Sequence, residues 1–312
     1  MQPVVLGLDF GGTKIAAAVA DIDGTRLGSA TIAAEAERGA AVSLSRAVDA
    51  AHALLGQVAA DRPLTAVGAS TFGIPGPDGV ALAPAIPGWE QLRLGRELEA
   101  AFAGAEIRLA TDVKAAARAE AAWGALAGCD PGVYLNLGTG LAVAVVAGGT
   151  VLKGRNGAAG EIGYNLRGLA DVGRSLDARV PLEDAVSGRA LESMARHAQP
   201  GVDGPGRFFA STHEKADLKD ILDHFLDELA FHLVNLTIAV DPERIAVGGG
   251  MMRSWEQIGP RLRVALDAAV PFPPELVPAA FPFDAPLIGA LALALEAAAD
   301  PHRNPQPSLQ KG

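Results

Sequence analysis

A single cysteine, Cys129, stands among the 312 residues. It excludes a disulfide framework and any thiolate zinc site. Basic residues are also short, 26 Lys and Arg against 36 Asp and Glu, for a formal charge of −10. Without a basic face there is nothing to neutralise phosphates along a duplex, so no nucleic-acid partner is expected. No apolar run reaches spanning length, and no positive segment with a following apolar stretch opens the chain. A soluble cytoplasmic protein with no membrane partner is the expectation. Aromatics are scarce at 5%, although 49% of the residues are apolar. Cores must therefore be built from Ala, Val and Leu, which suits packed helices and buried strands.

What is present is an alternation. Apolar runs at 3–10, 14–21, 65–72, 107–111, 132–138, 141–147 and 244–248 read as strands. Between them, 41–60, 90–103, 113–127, 182–197, 217–240 and 286–299 have helical composition or periodicity. That is an α/β pattern, and the length favours two domains facing a cleft. The Gly-, Pro- and Ser-rich stretch 198–216 reads as a loop and 300–312 as a frayed tail.

One internal echo stands out. Leu8-Asp9-Phe10-Gly11-Gly12-Thr13 is answered, 127 positions on from Leu8, by Leu135-Asn136-Leu137-Gly138-Thr139-Gly140, and each is followed by a β-type run. Strand, glycine turn, strand occurs twice, and a period of that size suggests a duplicated domain rather than a solenoid. Neither turn matches a Walker loop, G-x-x-x-x-G-K-[ST], and neither opens a helix as a dinucleotide fingerprint does. An ordinary tight hairpin fits each turn taken alone. A tip whose glycines admit positive φ and let an anion approach backbone N–H groups fits as well. With Asp9 directly before one tip and a second tip downstream, a two-sided phosphate clamp is the favoured reading. Gly248-Gly249-Gly250, after the strand 244–248, is either a turn or backbone against which an adenosine could lie.

Three carboxylates carry the candidate chemistry. Asp112 ends the strand 107–111 and precedes a helix, where it can cap that helix. Strand ends of open α/β sheets are also where ligands bind, and a carboxylate there could accept a hydroxyl proton. Glu161 lies in the glycine-rich stretch 157–163, an odd place for a merely solvated charge. Glu183 opens a helical segment, where an acid in the first turn is structurally ordinary.

Taken together and in order, these stretches resemble the ROK family (repressors, open reading frames, kinases) of glucokinase-like sugar kinases. That family has the two-lobed actin-like ATPase (ribonuclease H-like) fold, and the resemblance runs from about residue 4 to 297. Asp9-Phe10-Gly11-Gly12-Thr13-Lys14 resembles the first phosphate motif, and Leu137-Gly138-Thr139-Gly140 the second. Gly73-Ile74-Pro75-Gly76-Pro77, followed by Pro87-Gly88-Trp89, is similar to the sugar-side loop. Asp112 falls where the family's catalytic aspartate lies, and 157–163 where a loop carries a sugar-binding glutamate. Leu182-Glu183 with Ser187-Gly188 resembles a second sugar-contact region, and Asp241-Pro242 through Gly250 the adenosine motif.

The resemblance implies an ATP- and Mg2+-dependent sugar kinase. Its glycine tips and Lys14 would cradle the phosphates, Asp9 would hold magnesium through water, and Gly248, Gly249 and Gly250 would border the adenosine. Asp112 would be the general base, and Gly76, Thr111, Glu161, Tyr164 and Glu183 would contact the sugar. An N-terminal lobe of 1–112, with the helix 286–299 packing back on it, a C-terminal lobe of 113–285, and a homodimer are further expectations. The departures are specific. Tyr164 replaces the histidine that follows Glu-Ile-Gly in the family, and 170–181 lacks its three cysteines, so no structural zinc is expected. Thr111-Asp112 replaces an Asn-Asp pair, and Ala85 an asparagine that binds sugar. The first strand begins within a few residues, which leaves no room for the winged helix of the family's repressors. Two alternatives are a non-catalytic sugar- or nucleotide-sensing protein and an actin-like ATPase with a different acceptor.

Overall fold

The computed structural model describes residues 2–198, 205–212 and 215–299. The described residues divide into two compact units, 2–111 with 290–299, and 112–289.

In the first unit the strands are β1 (Val4–Phe10), β2 (Lys14–Asp21) and β3 (Arg26–Ala33), then helix α1 (Ala40–Val58) and strand β4 (Leu64–Thr71). Two short strands, β5 (Ile74–Pro75) and β6 (Val80–Ala81), helix α2 (Leu94–Ala101) and strand β7 (Glu106–Thr111) complete it. The sheet order is β3-β2-β1-β4-β7, with β1 antiparallel to β2 and parallel to β4. The central strands are covered on both faces, which is why they are built mostly from apolar and small residues. β3 alternates half-buried and exposed positions as an edge strand does, and Gly28 and Ser29 weaken its β signal, so it was not expected.

The second unit opens with α3 (Asp112–Trp123), β8 (Gly132–Leu137), β9 (Leu141–Ala147) and β10 (Thr150–Val151). It continues through α4 (Gly188–Ala198), α5 (Pro205–Ser211), α6 (Ala216–Val240), β11 (Arg244–Gly248), α7 (Trp255–Ala269) and β12 (Glu275–Pro278). Its sheet runs β10-β9-β8-β11-β12, again an antiparallel hairpin beside two parallel strands. The sequence echo is thus a repeat of topology, with β1–β2 and β8–β9 equivalent. The helix α8 (Ala285–Ala299) starts in this unit and continues into the first. There a Cβ on Gly68 would fall 1.9 Å from the Ala290 carbonyl oxygen, so that strand position must be glycine for the helix backbone to lie on β4.

Several expectations need correction. The stretch 198–216 is not all loop, because α5 forms within it and buries Phe208 and Phe209. The segment 182–197 is a 3-10 turn at Leu182–Asp184 followed by α4 from Gly188. Glu183 therefore sits in a tight turn rather than opening an α-helix. α7 was missed because Pro260 interrupts its signal, although Ile258, Leu262 and Leu266 are buried at helical spacing. The stretch 300–312 lies outside the described residues.

Candidate functional site

In the first unit, the β1–β2 tip is a tight turn closed by the Gly11 N–H, which donates to the Lys14 carbonyl at 3.0 Å. Asp9, near the end of β1, accepts a hydrogen bond from the Ser70 hydroxyl at 2.8 Å. Burial pushes the Asp9 carboxyl above its ordinary value, while Ser70 and the nearby Lys14 charge pull against that. Thr13 and Lys14 are exposed at the tip. Gly12 lies close to Ala85, whose methyl would be 3.6 Å from a Cβ built on that glycine. Gly76 closes the β5–β6 turn by donating to the Gly79 carbonyl at 2.8 Å. Trp89 is wholly buried between Phe10 and Phe72 and donates its indole N–H to the Thr71 hydroxyl at 3.0 Å. Thr111, also buried, ends β7 opposite Thr71. The Pro-Gly-Trp stretch is thus anchored on the ends of β1 and β4.

In the second unit the β8–β9 tip is bound to the start of α4. The Gly188 N–H donates to the Gly138 carbonyl at 2.9 Å and the Arg189 N–H to the Thr139 carbonyl at 3.3 Å. A Cβ on Gly188 would sit 2.6 Å from the Gly138 oxygen, so only glycine lets the helix begin so close to the tip. Beside this junction lies a cavity of about 290 Å³, lined among others by Gly138, Thr139, Gly188, Arg189, Gly250 and Arg253. Of the glycine triplet, Gly250 reaches this cavity. Gly248 packs under the Tyr134 hydroxyl, and Gly249, at φ +98°, packs against the Leu137 carbonyl. Gly140 lies over the Glu183 carboxylate, 2.3 Å from where its Cβ would be. Neither arginine was singled out from the sequence. Arg253 carried no local signal, although its guanidinium stacks 4.6 Å from the Phe283 ring centre.

Glu183 accepts a hydrogen bond from the Leu141 N–H at 2.8 Å and pairs with Arg189 at 3.3 Å. It therefore buttresses the β8–β9 tip, whatever else it touches. Asp112 is the first residue of α3, and its carboxylate accepts from the N–H of the next residue, Val113, at 2.8 Å. Two residues on, Lys114 is 5% exposed, and its ammonium lies 3.4 Å from a Glu161 oxygen. Burial pushes the Glu161 carboxyl up, Lys114 pulls it down, and the Glu183 charge pushes it up again. The phenol of Tyr134 is held far above its ordinary value by burial and by the charges of Glu120 and Asp112. Lys114 was missed because a lysine on a helix ordinarily reads as a solvated charge. So was Glu120, a wholly buried carboxylate that accepts from the N–H groups of Ala125, Ala280 and Phe281.

The ROK family model matches residues 5–297. The chain belongs to the ROK family. It is 32% identical to the kanosamine kinase of Amycolatopsis mediterranei over 94% of this chain and 96% of that one. Among solved structures, the ROK hexokinase of Thermus thermophilus has a TM-score of 0.78 at 31% identity, covering 94% of this chain and 98% of that one. The ROK glucokinase of Streptomyces griseus, solved with glucose and AMPPNP, has a TM-score of 0.73 at 27% identity, with 94% and 99% covered. This ROK chain accordingly has the actin-like ATPase fold of those kinases. Among the described residues, no helix is long and apolar enough to cross a membrane.

Proposed function

We propose that this ROK chain is a cytoplasmic, homodimeric kinase that transfers the γ-phosphoryl group of ATP to a hydroxyl of a hexose or N-acetylhexosamine. The observation that carries the reading is the cavity at the β8–β9 tip. Glycines at 138, 188 and 250 leave room along part of its wall, Thr139, Arg189 and Arg253 supply a hydroxyl and two guanidinium groups, and Glu192, Met251 and Ser254 also line it. That donor set suits a nucleotide's phosphates, and the volume lies near the lower end of the roughly 300–1,000 Å³ typical of ligand pockets. The kinases named above support the same reaction class.

Magnesium suits Asp9, a single carboxylate oriented by Ser70, because this ion keeps most of its waters and takes few protein ligands. When bound, it neutralises charge on the phosphates. Phosphoryl transfer needs positioning and charge neutralisation more than covalent catalysis. Asp112 takes the proton from the sugar hydroxyl as that oxygen attacks. Its bond to the Val113 N–H orients the carboxylate at the start of α3. Glu161 and Tyr164 bind the sugar, and the Lys114 ammonium opposes the burial that raises the Glu161 carboxyl. Gly76, Thr111 and Glu183 border the same ligand, and Gly11, Gly12, Thr13 and Lys14 the phosphates. The helix 286–299 serves the N-terminal lobe in this reading.

We infer that no structural zinc is held in the stretch where the family resemblance places one. Stretch 164–181 offers neither cysteine nor histidine as a ligand. A second reading, a sensor that binds without turnover, is favoured by Ala85 and Tyr164, where the family resemblance leads one to expect sugar-binding Asn and His. ADP release with magnesium ATP across a panel of sugars separates the two. Release with at least one hexose is expected. Binding of sugar and ATP by calorimetry without ADP from any sugar would replace the kinase by the sensor.

A further inference from the structure

The stretch from Asn165 to Arg179 has little to hold it by burial. Its helical content is two single 3-10 turns, Leu169–Asp171 and Leu176–Ala178, and Leu169 is 91% exposed, with Val172 also exposed. Polar contacts do the holding. Arg167 meets Glu228 of α6 at two points, Nε to Oε1 at 2.5 Å and Nη2 to Oε2 at 2.9 Å. The Glu228 side chain is 11% exposed, so this is not a solvated surface pair. The Arg167 N–H donates to Asp171 at 3.0 Å and closes the turn onto the same arginine. Asn165 Nδ2 lies 3.3 Å from Nδ1 of the buried His232, also on α6. Arg179 then donates to the carbonyls of Tyr164 at 2.7 Å and Asn165 at 3.1 Å.

We propose that the Arg167–Glu228 pair, with Asn165–His232 and Arg179, is a metal-free clasp that fixes this stretch on α6 and thereby positions Glu161 and Tyr164. The geometry explains why one clasp governs both residues. The segment before it is already stitched to β9, since the Val143 N–H donates to the Gly160 carbonyl at 2.9 Å. Within it, the Tyr164 N–H donates to the Glu161 carbonyl at 3.1 Å and the Asn165 N–H to the Ile162 carbonyl at 2.9 Å. Residues 161–165 are therefore one hydrogen-bonded turn with an anchor at each end, and the clasp is the second anchor. A two-point guanidinium–carboxylate pair fixes direction as well as distance, which a lysine in place of Arg167 could not do. These residues are positioning residues, because none is argued to touch a reacting atom.

Hydrogen exchange on the full chain tests this without reference to activity. In Arg167→Ala, peptides over 158–181 are expected to lose at least tenfold protection while those over β8 and β11 keep theirs. The charge-reversed pair Arg167→Glu with Glu228→Arg is expected to regain part of it. In the kinetic arm, which rests on the kinase reading, KM for the sugar rises while KM for ATP holds. Loop protection lost in a chain that phosphorylates no sugar would leave the clasp standing and remove only the kinase reading. Unchanged protection, or equal loss through the whole second unit, would overturn the clasp. So would stoichiometric zinc whose removal by chelator melts 158–181. If Arg167→Ala does not fold, Arg167→Lys decides on the same criterion.

Discussion

Replacing Lys114 by methionine removes the ammonium beside Glu161 while keeping most of the side-chain volume. The pair is 3.4 Å apart, with Lys114 6% and Glu161 24% exposed by side chain. At an effective dielectric constant of about 20, unit charges at that distance attract by roughly 5 kcal/mol. The quarter of Glu161 left in solvent and the cost of desolvating both ions reduce the net coupling to about 1–3 kcal/mol. Without the ammonium the Glu161 carboxyl should rise further above where burial already holds it. A carboxylate whose folded pKa is raised above the ordinary 4.5 loses stability as pH climbs from its unfolded to its folded pKa, because the folded state prefers the proton. Lys114→Met widens that window upward. The variant should therefore be clearly less stable than the parent at pH 8, with the difference shrinking or reversing near pH 4.5. Urea unfolding at both pH values measures this, with Glu161→Gln and the double variant completing a cycle. The acid limb of the kcat/KM profile should move to higher pH in the same variant. If the single effects add in the double variant to within about 0.3–0.5 kcal/mol, the coupling does not exist and the reasoning fails.

Further expectations concern separate parts of the site. Asp112→Asn keeps a side-chain oxygen for the Val113 N–H but not the proton acceptor, so turnover should fall by about 10²–10⁴ with sugar binding retained in calorimetry; near-normal turnover would remove Asp112 as base. Gly188→Ala places a methyl 2.6 Å from the Gly138 oxygen, and backbone must shift to admit it. A loss of about 1–3 kcal/mol in urea unfolding and a raised KM for ATP should follow, and an unchanged KM would detach this junction from the nucleotide. Ala85→Asn restores one hydrogen bond beside the Gly12 tip and should raise kcat/KM for glucose by about two- to twelve-fold; a glucose preference unaffected by the change would show that Ala85 does not face the sugar. Burial holds His232 below its ordinary 6.5, with Glu228 opposing and Arg167 assisting. Its folded state therefore resists protonation, and stability should be full above about pH 6.5 and decline as pH falls through the lower folded pKa. Urea midpoints compared with those of His232→Gln should show a flatter acid limb in the variant.

The sequence by itself determined the features whose cause is local. A strand covered on both faces is built mostly from apolar and small residues, and a tight tip needs glycine. For that reason β1, β4, β8 and β11, and both glycine tips, could be located along the chain. The order of those stretches also carried the family. Tertiary structure decided what depends on partners far along the chain. Lys114 and Glu161 are 47 residues apart and Arg167 and Glu228 are 61 apart. No local pattern records such pairings, so their charges read as solvated ones. The glycine triplet makes the same point within three residues, because Gly248 and Gly249 serve the packing of β8 and Gly250 reaches the cavity. Glu183 looked like a first-turn acid, yet its carboxylate holds the Leu141 N–H 42 residues away. Composition and periodicity report what each residue prefers as neighbours, and only the folded chain supplies the neighbours that fix charge, direction and burial.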